Sequence, residues 1–92
     1  MAVYVDDMHL RPMGQLNRMK MSHMIADTPE ELRLMAALIG VSSKHIQHPG
    51  TPNEHLDVAK SKRALAVSEG AIEITMREAV EIVRRKRARG NG

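Results

Sequence analysis

The sequence predicts a small α/β domain in which three helices pack on a mixed, partly parallel sheet of three to four strands. Short β-rich runs alternate along the chain with segments of helical spacing, a pattern typical of sheets with parallel neighbours. Two Thr-x-x-Glu signals, beginning at Thr28 and Thr75, predict helix N-termini. The length of 92 residues allows one domain. We place it at residues 1–83 and expect residues 84–92 to form a basic helix end and a frayed tail.

Four segments have the features of strands. Residues 2–5 are β-rich, and residues 19–25 alternate with period two, which places His23 on one face with apolar neighbours. Residues 44–47 predict a short strand. Residues 71–75, with two isoleucines on one side, predict a buried strand.

Helix boundaries carry clearer signals than the strands. Thr28 is expected to cap a helix over residues 29–39, which Gly40 ends in the left-handed conformation. Asp57 is expected to cap a second helix that ends at Gly70. The third helix follows the second Thr-x-x-Glu signal and runs into the basic tail.

Composition excludes some classes of site. The chain has no cysteine, which excludes disulfides and thiolate metal sites. Its single aromatic residue, Tyr4, argues against a surface that stacks several nucleic-acid bases. Because no apolar stretch is long enough to span a bilayer and no leader pattern is visible, we expect a cytoplasmic protein with no membrane partner. The thin core allows a monomer or a homodimer.

The formal net charge of +3 is unevenly distributed. A cationic cluster near the end of the chain is a candidate nucleic-acid contact, formed by Arg84, Arg85, Lys86 and Arg87. The alternative is a solvated helix end, since cations are favoured at a helix C-terminus.

A second group of residues predicts a phosphate site at the start of the second helix. Its candidate ligand-binding residues are His23, His55, Asp57, Ser61, Lys62 and Arg63. A helix N-terminus favours anions, and arginine and lysine would neutralise a phosphate. The alternative is an aspartate cap followed by a solvated basic face, with His23 as an ordinary core histidine.

Carboxylates after the first strand form a candidate metal site. Asp6 and Asp7 follow residues 2–5 directly, and ligands bind beyond the carboxyl ends of strands in parallel sheets. Carboxylate oxygens suit magnesium or manganese. The alternative is a turn in which the aspartates accept backbone amides. The spacing of His45, His48 and His55 matches no compact zinc pattern.

Several blocks resemble a phage and bacterial family of small domains of unknown function. The blocks are Tyr-Val-Asp-Asp-Met at residues 4–8, Ser-His-Met-Ile-Ala-Asp-Thr at 22–28, His-Leu-Asp at 55–57, Ser-Lys-Arg at 61–63 and Gly-Ala at 70–71. The resemblance implies a phage or prophage context and no particular activity. The sequence departs from the family pattern at Ile46 and Leu56, where many members have aromatic residues.

A shorter pattern is similar to the skeleton of small PIN-like nucleases, in which carboxylates at strand ends hold divalent metal. The matching positions are Asp6 or Asp7, Asp57 and Glu78. This resemblance implies metal-dependent nuclease chemistry, although Glu78 also fits the second half of a capping box.

Three functions therefore stand as hypotheses. The leading one is a small phage-type protein that recognises the phosphate of a nucleotide or nucleic acid. The second is a metal-dependent PIN-like nuclease or phosphoesterase. The third is a phage protein that binds and inhibits a host protein.

Overall fold

The computed structural model describes residues 2–16 and 19–90. Its strands are β1 (Val3–Val5), β2 (Gln15–Leu16), β3 (Met19–Ala26), β4 (Leu56–Ala59) and β5 (Ile72–Glu73), and its helices are α1 (Pro29–Ile39), α2 (Lys60–Ser68) and α3 (Met76–Ala88). Short 3-10 turns lie at Met8–Leu10, Pro12–Gly14 and Ser43–His45. Within the described ranges, no helix is long and apolar enough to cross a membrane.

Strand β3 is the centre of the sheet. It pairs antiparallel with β1 and β4, and because Met24 lies opposite both Val5 and Leu56, these two strands flank it on either side. Strand β5 pairs parallel with β1, and β2 forms an antiparallel extension at the start of β3. The predicted fold class, helices packed on a small mixed and partly parallel sheet, is confirmed.

The two faces of the sheet are covered by different helices. Helices α1 and α2 pack on one face and enclose the main apolar cluster, which includes Val5, Met24, Leu32 and Leu56. The alternate residues of the strands, such as Ile25 of β3, face α3, in which Ile82 is buried.

Two helices follow their capping signals. Helix α1 covers residues 29–39 as predicted, since the Thr28 hydroxyl accepts from the Glu31 amide and Gly40 ends the helix with φ of 77°. Helix α3 begins with the predicted capping box, in which Thr75 and Glu78 bond each other's backbone amides.

Three local predictions were wrong. The segment 44–47 is not a strand of the sheet. Residues 43–45 form a 3-10 turn, and Gln47 forms an isolated β-bridge with His55. Asp57 is not a helix cap: it lies within β4, and α2 begins at Lys60 without a side-chain cap. Ile72 is 48% exposed, because β5 is paired only with β1 along the described sheet.

The strand assignment of Asp57 has a physical cause. Leu56 and Val58 are almost completely buried in the apolar cluster, and they flank Asp57 with the alternation of a half-buried strand. Pairing with β3 and burial of these two side chains outweigh the preference of aspartate for a helix start.

Helix α3 continues without a break across the expected boundary after residue 83. One hydrogen bond attaches it to the turn after β1, and another attaches it to β3. The Met76 amide donates to Asp7 Oδ1 at 2.9 Å, and the buried Lys86 Nζ donates to the Ala26 carbonyl at 2.8 Å. At a rise of about 1.5 Å per residue these attachments are about 15 Å apart along the helix, and a cavity lies beneath the intervening turns.

Candidate functional site

Three polar side chains meet on the sheet face that α3 covers. His23 lies directly opposite Asp57 in the β3–β4 register. His55 precedes Asp57 by two residues in extended chain, so both side chains point to the same face. The ligand atoms of His23, His55 and Asp57 all lie within 4.8 Å of one another.

Asp6 orients the ring of His23. The His23 Nδ1–H donates to Asp6 Oδ2 at 2.7 Å, and Asp6 Oδ1 accepts the backbone amides of His23 and Met8. The side chain of Asp6 is 1% exposed, and burial raises its pKa; the hydrogen bonds from His23 and the backbone outweigh burial and leave the pKa below its ordinary value. The carboxylate therefore requires the proton on Nδ1, and Nε2 of a neutral His23 carries a lone pair.

The same hydrogen bond affects the charge of His23. It raises the pKa of His23, the partial burial of the ring lowers it, and the nearby carboxylates of Asp6 and Asp57 add to the rise. The net pKa lies above the ordinary value for histidine.

A backbone carbonyl orients His55. Its Nδ1 lies 2.7 Å from the Asn53 carbonyl oxygen, which can only accept, so the ring proton is on Nδ1 and the Nε2 lone pair is free. The backbones of His55 and Gln47 exchange two hydrogen bonds, of 2.8 and 3.1 Å, that hold this residue beside β3.

Asp57 faces both imidazoles without a hydrogen bond to either. Its Oδ1 lies 3.8 Å from His23 Nε2 and 3.7 Å from His55 Nε2, distances too long for hydrogen bonds. Its Oδ2 accepts from Gln47 Nε2 at 2.8 Å. The two rings lie edge to face, with centroids 5.2 Å apart. When both rings are neutral, two nitrogen lone pairs and a carboxylate oxygen therefore lie within 4.8 Å of one another, where a cation would relieve their mutual repulsion.

The spacing is close to that of a metal centre. Ligands bound to one ion at about 2.1 Å in tetrahedral geometry are about 3.4 Å apart. The distances from Asp57 Oδ1 to the two Nε2 atoms, 3.7 and 3.8 Å, exceed this by a few tenths of an ångström. Because the whole set lies within 4.8 Å, binding one ion would require it to contract by up to about 1.4 Å. Histidines whose second nitrogen donates to a carboxylate or carbonyl are the usual ligands of such ions. Two nitrogens and one oxygen suit zinc, iron, cobalt or manganese better than magnesium, which prefers oxygen ligands.

A cavity of about 460 Å³ opens beside this cluster, between α3 and the sheet. His23 and His55 form part of its wall on the sheet side, and Val80, Val83, Arg84 and Arg87 form part of the wall on α3. The two histidines of the cluster can therefore contact a ligand that enters the cavity.

The loop that precedes His55 is closed by a buried carboxylate. Glu54, 3% exposed, accepts the Gly50 amide at 3.0 Å and forms an ion pair with Arg33 of α1 at 3.4 Å. His48 in this loop has a φ of 50°, the left-handed region that a non-glycine residue rarely adopts, and its ring lines the cavity 5.9 Å from that of His55.

The structure gives Asp6, Asp7 and Glu78 separate partners. Asp6 is engaged by His23, Asp7 accepts the first amide of α3 and pairs with Arg11 at 3.5 Å, and Glu78 accepts the Thr75 amide. These carboxylates do not form the shared oxygen site that the PIN-like pattern implies. Asp6 instead accepts a hydrogen bond from the ring of His23.

The residues that were predicted to bind a phosphate do not all lie together. Lys62 Nζ donates to the Ile39 carbonyl at the end of α1, and Arg63 is buried, donating to the Asp6 carbonyl and to Glu73 at 2.9 Å each. Ser61 is exposed on α2. These three residues belong to the helix that covers the opposite face, so they do not join His55 and Asp57.

The basic cluster has three different environments. Arg84 and Arg87 line the cavity, Lys86 is buried, and Arg85 is exposed outside the described cavity lining. Burial lowers the pKa of Lys86, and the carboxylates of Glu54 and Asp27 oppose this shift. Whether any of the four residues contacts nucleic acid stays a prediction.

Sequence reasoning missed the residues that orient the cluster. Gln47, the Asn53 carbonyl and the buried Glu54 have no distinctive motif, and their roles depend on tertiary contacts. One signal was present: Leu56 and Val58 alternate with His55 and Asp57, a strand pattern that places the two polar side chains on one face.

Comparisons with known proteins identify the family of the chain. No curated protein and no solved structure matches it. The family model described as a protein of unknown function, DUF4031, matches residues 3–86, which include the three-residue cluster and Asp6. This chain therefore belongs to the DUF4031 family.

Proposed function

We propose that this protein is a divalent-metal-dependent hydrolase whose metal ion is held by His23, His55 and Asp57. One observation carries the proposal. Two imidazole lone pairs and a carboxylate oxygen lie within 4.8 Å of one another, and the other ring nitrogen of each histidine is already engaged by an acceptor.

The number of ligands favours a catalytic ion over a structural one. Structural zinc sites have four protein ligands, whereas catalytic sites have three and leave a position for water. An ion held by these three residues would supply an activated water near neutral pH, because metal ions of this kind lower the pKa of bound water to about 7. His23 and His55 also line the cavity, so a substrate there would lie beside that water.

His48 is the candidate proton acceptor for the bound water. Its ring lies in the cavity wall next to His55, and its left-handed backbone conformation costs free energy that the loop must offset. Strain of this kind is concentrated at functional sites. Asparagine tolerates the same conformation, so His48→Asn removes the imidazole while preserving the turn.

The test is hydrolysis by metal-free protein reloaded with zinc, manganese or cobalt. We expect turnover of p-nitrophenyl phosphate or its bis ester with at least one of these ions and none with a chelator. Asp57→Asn and His55→Gln should abolish turnover, and His48→Asn should lower it about 100-fold or more with the metal retained.

His45→Gln is the matched control, since His45 is an exposed histidine outside the cluster. Turnover that survives Asp57→Asn, or that responds equally to His45→Gln, would contradict the proposal. Inactivity with all three ions would also contradict it. Binding of a host protein stays a prediction.

A further inference from the structure

Building on the proposed metal centre, we infer that the cavity takes a small phosphate ester of nucleotide size, with Arg84 and Arg87 holding the phosphate. The organic part of the ester lies on the apolar wall beside them. Hydrolysis would consume one water, whose oxygen would form a bond to phosphorus as the ester P–O bond breaks. The proton that His48 takes from this water would pass to the departing alkoxide oxygen. The products are inorganic phosphate and an alcohol.

The two arginines are placed to act on one anion. They are three residues apart on α3, so their side chains are neighbours on one helix face, and both line the cavity. Arg84 pairs with Glu81 at 3.0 Å on the exposed surface, and Arg87 reaches Asn53 Oδ1 at 3.5 Å, the limit of a hydrogen bond. Exposed contacts of this kind are weak, and a phosphate would replace them with charge-assisted bonds.

The cavity wall also includes Asp6, His48 and Asn53, and another part of it is apolar. Ile25 and Met76 contribute to it together with Ala79, Val80 and Val83 of α3, and Val80 is 53% exposed although it faces a cavity. An apolar area beside two arginines and three histidines fits a ligand with one anionic end and one apolar or flat end.

The dimensions favour a small ester over a polymer. A volume of about 460 Å³ lies within the range of small-molecule sites, about 300–1,000 Å³. Single-stranded nucleic acid is usually held by several stacking aromatic residues, and this sequence has one, Tyr4. Two of the four cationic residues in the basic cluster, Arg84 and Arg87, can therefore be explained by a small ligand in the cavity. A nucleic-acid strand is not needed to explain them.

The test is calorimetry on the zinc-loaded protein with adenosine monophosphate, inorganic phosphate and a short single-stranded DNA as separate probes. We expect the monophosphate to bind more tightly than phosphate, since only it contacts the apolar wall. Arg84→Ala and Arg87→Ala should each weaken its binding roughly tenfold or more. Arg85→Ala, a change in the same cluster outside the cavity lining, should alter it less than about twofold.

Zinc binding is measured on the same samples, which separates this inference from the proposed function. Normal zinc binding with no affinity for the monophosphate would overturn the inference and leave the metal centre intact. Equal losses in Arg85→Ala and Arg87→Ala would overturn it, because a diffuse basic surface predicts that result. Tighter binding of DNA than of the monophosphate would also overturn it. A Val80→Glu variant that weakens binding of the monophosphate more than that of phosphate would support it.

Discussion

The two faces of the sheet differ in what they bury. The face under α1 and α2 is filled by a continuous apolar cluster that includes Met24, Leu56 and Val58, each at most 1% exposed. The face under α3 also buries apolar side chains, Ile25 and Ile82. It differs in leaving a cavity whose lining includes histidine and arginine side chains. One face stabilises the fold, and the other holds the polar groups to which we assign the proposed ligand binding.

Neighbouring residues of one strand serve the two faces. Leu56 and Asp57 are adjacent in β4, and the strand sends one side chain into the apolar cluster and the other toward His23. The same alternation in β3 separates Met24 from His23. Stability and ligand binding should therefore respond to different substitutions, even one residue apart.

The largest expected effect is on the apolar face. Leu56→Ala should lower the free energy of unfolding by about 2–5 kcal/mol, because it removes buried methyl groups and leaves a cavity. Urea denaturation measures the loss. Asp57→Asn, the adjacent control, should change it by about 0.5 kcal/mol or less in metal-free protein. Equal losses in the two variants would remove the distinction between the faces.

Zinc bound to the histidine and aspartate cluster on the face under α3 should stabilise the folded state. At a free concentration 100 times the dissociation constant, an ion that binds only the folded chain adds about 2.7 kcal/mol. Thermal unfolding should then shift upward by roughly 10–20 °C for a domain of this size. His55→Gln should eliminate the shift, and His45→Gln should retain it. A shift that persists in His55→Gln would place the ion elsewhere.

The next effect concerns the residue that orients His23. In Asp6→Asn an amide NH₂ can face Nδ1, which moves the ring proton to Nε2 and blocks the metal position. We expect metal affinity to fall about 10–100-fold, the usual effect of altering such an orienting group. Asp7→Asn is the control, because the contacts of Asp7 are with α3 and Arg11 and it has no hydrogen bond or ion pair with His23 or His55 among the described residues. Unchanged affinity in Asp6→Asn would contradict this role.

The smallest effect is the pH dependence of the metal-free protein. The Asp6 hydrogen bond raises the pKa of His23 in the folded state, so its contribution to stability is complete below about pH 6.5 and disappears as pH rises through the raised value. The pKa of Asp6 is lowered, so its contribution is present above about pH 3.9 and is lost as pH falls through the lowered value.

The Asp6–His23 pair should therefore stabilise the fold most between about pH 4 and pH 6.5. Unfolding free energies of wild type and His23→Gln should differ more at about pH 5.5 than at about pH 8, and the His23 ring protons followed by NMR should titrate above the ordinary value. An equal difference at both pH values would show that the pair is not ionised as described.

The sequence was sufficient for elements whose signals are local. The capping residues Thr28 and Thr75 defined the starts of α1 and α3, and alternation defined β3. Asp57 was misread because its local preference for a helix start conflicts with the burial of Leu56 and Val58, which depends on pairing with β3. The pairing of β4 with β3 therefore determined that Asp57 lies in a strand.

The candidate site was predictable only as a set of residues. His23, His55 and Asp57 were all singled out for ligand binding, but their convergence depends on the register of β3 against β4, which one sequence does not define. Lys62 and Arg63 were grouped with them by proximity along the chain, although α2 carries both to the other face of the sheet. The role of Asp6 required the observed contact with His23.

Calorimetric titration of zinc into the metal-free protein is the most direct test of the central claim, with wild type compared against Asp57→Asn and the control His45→Gln. We predict one ion per chain for wild type and His45→Gln, with an affinity at least about tenfold weaker in Asp57→Asn. The absence of zinc binding by wild type, or an affinity that Asp57→Asn leaves unchanged, would contradict a metal centre at His23, His55 and Asp57.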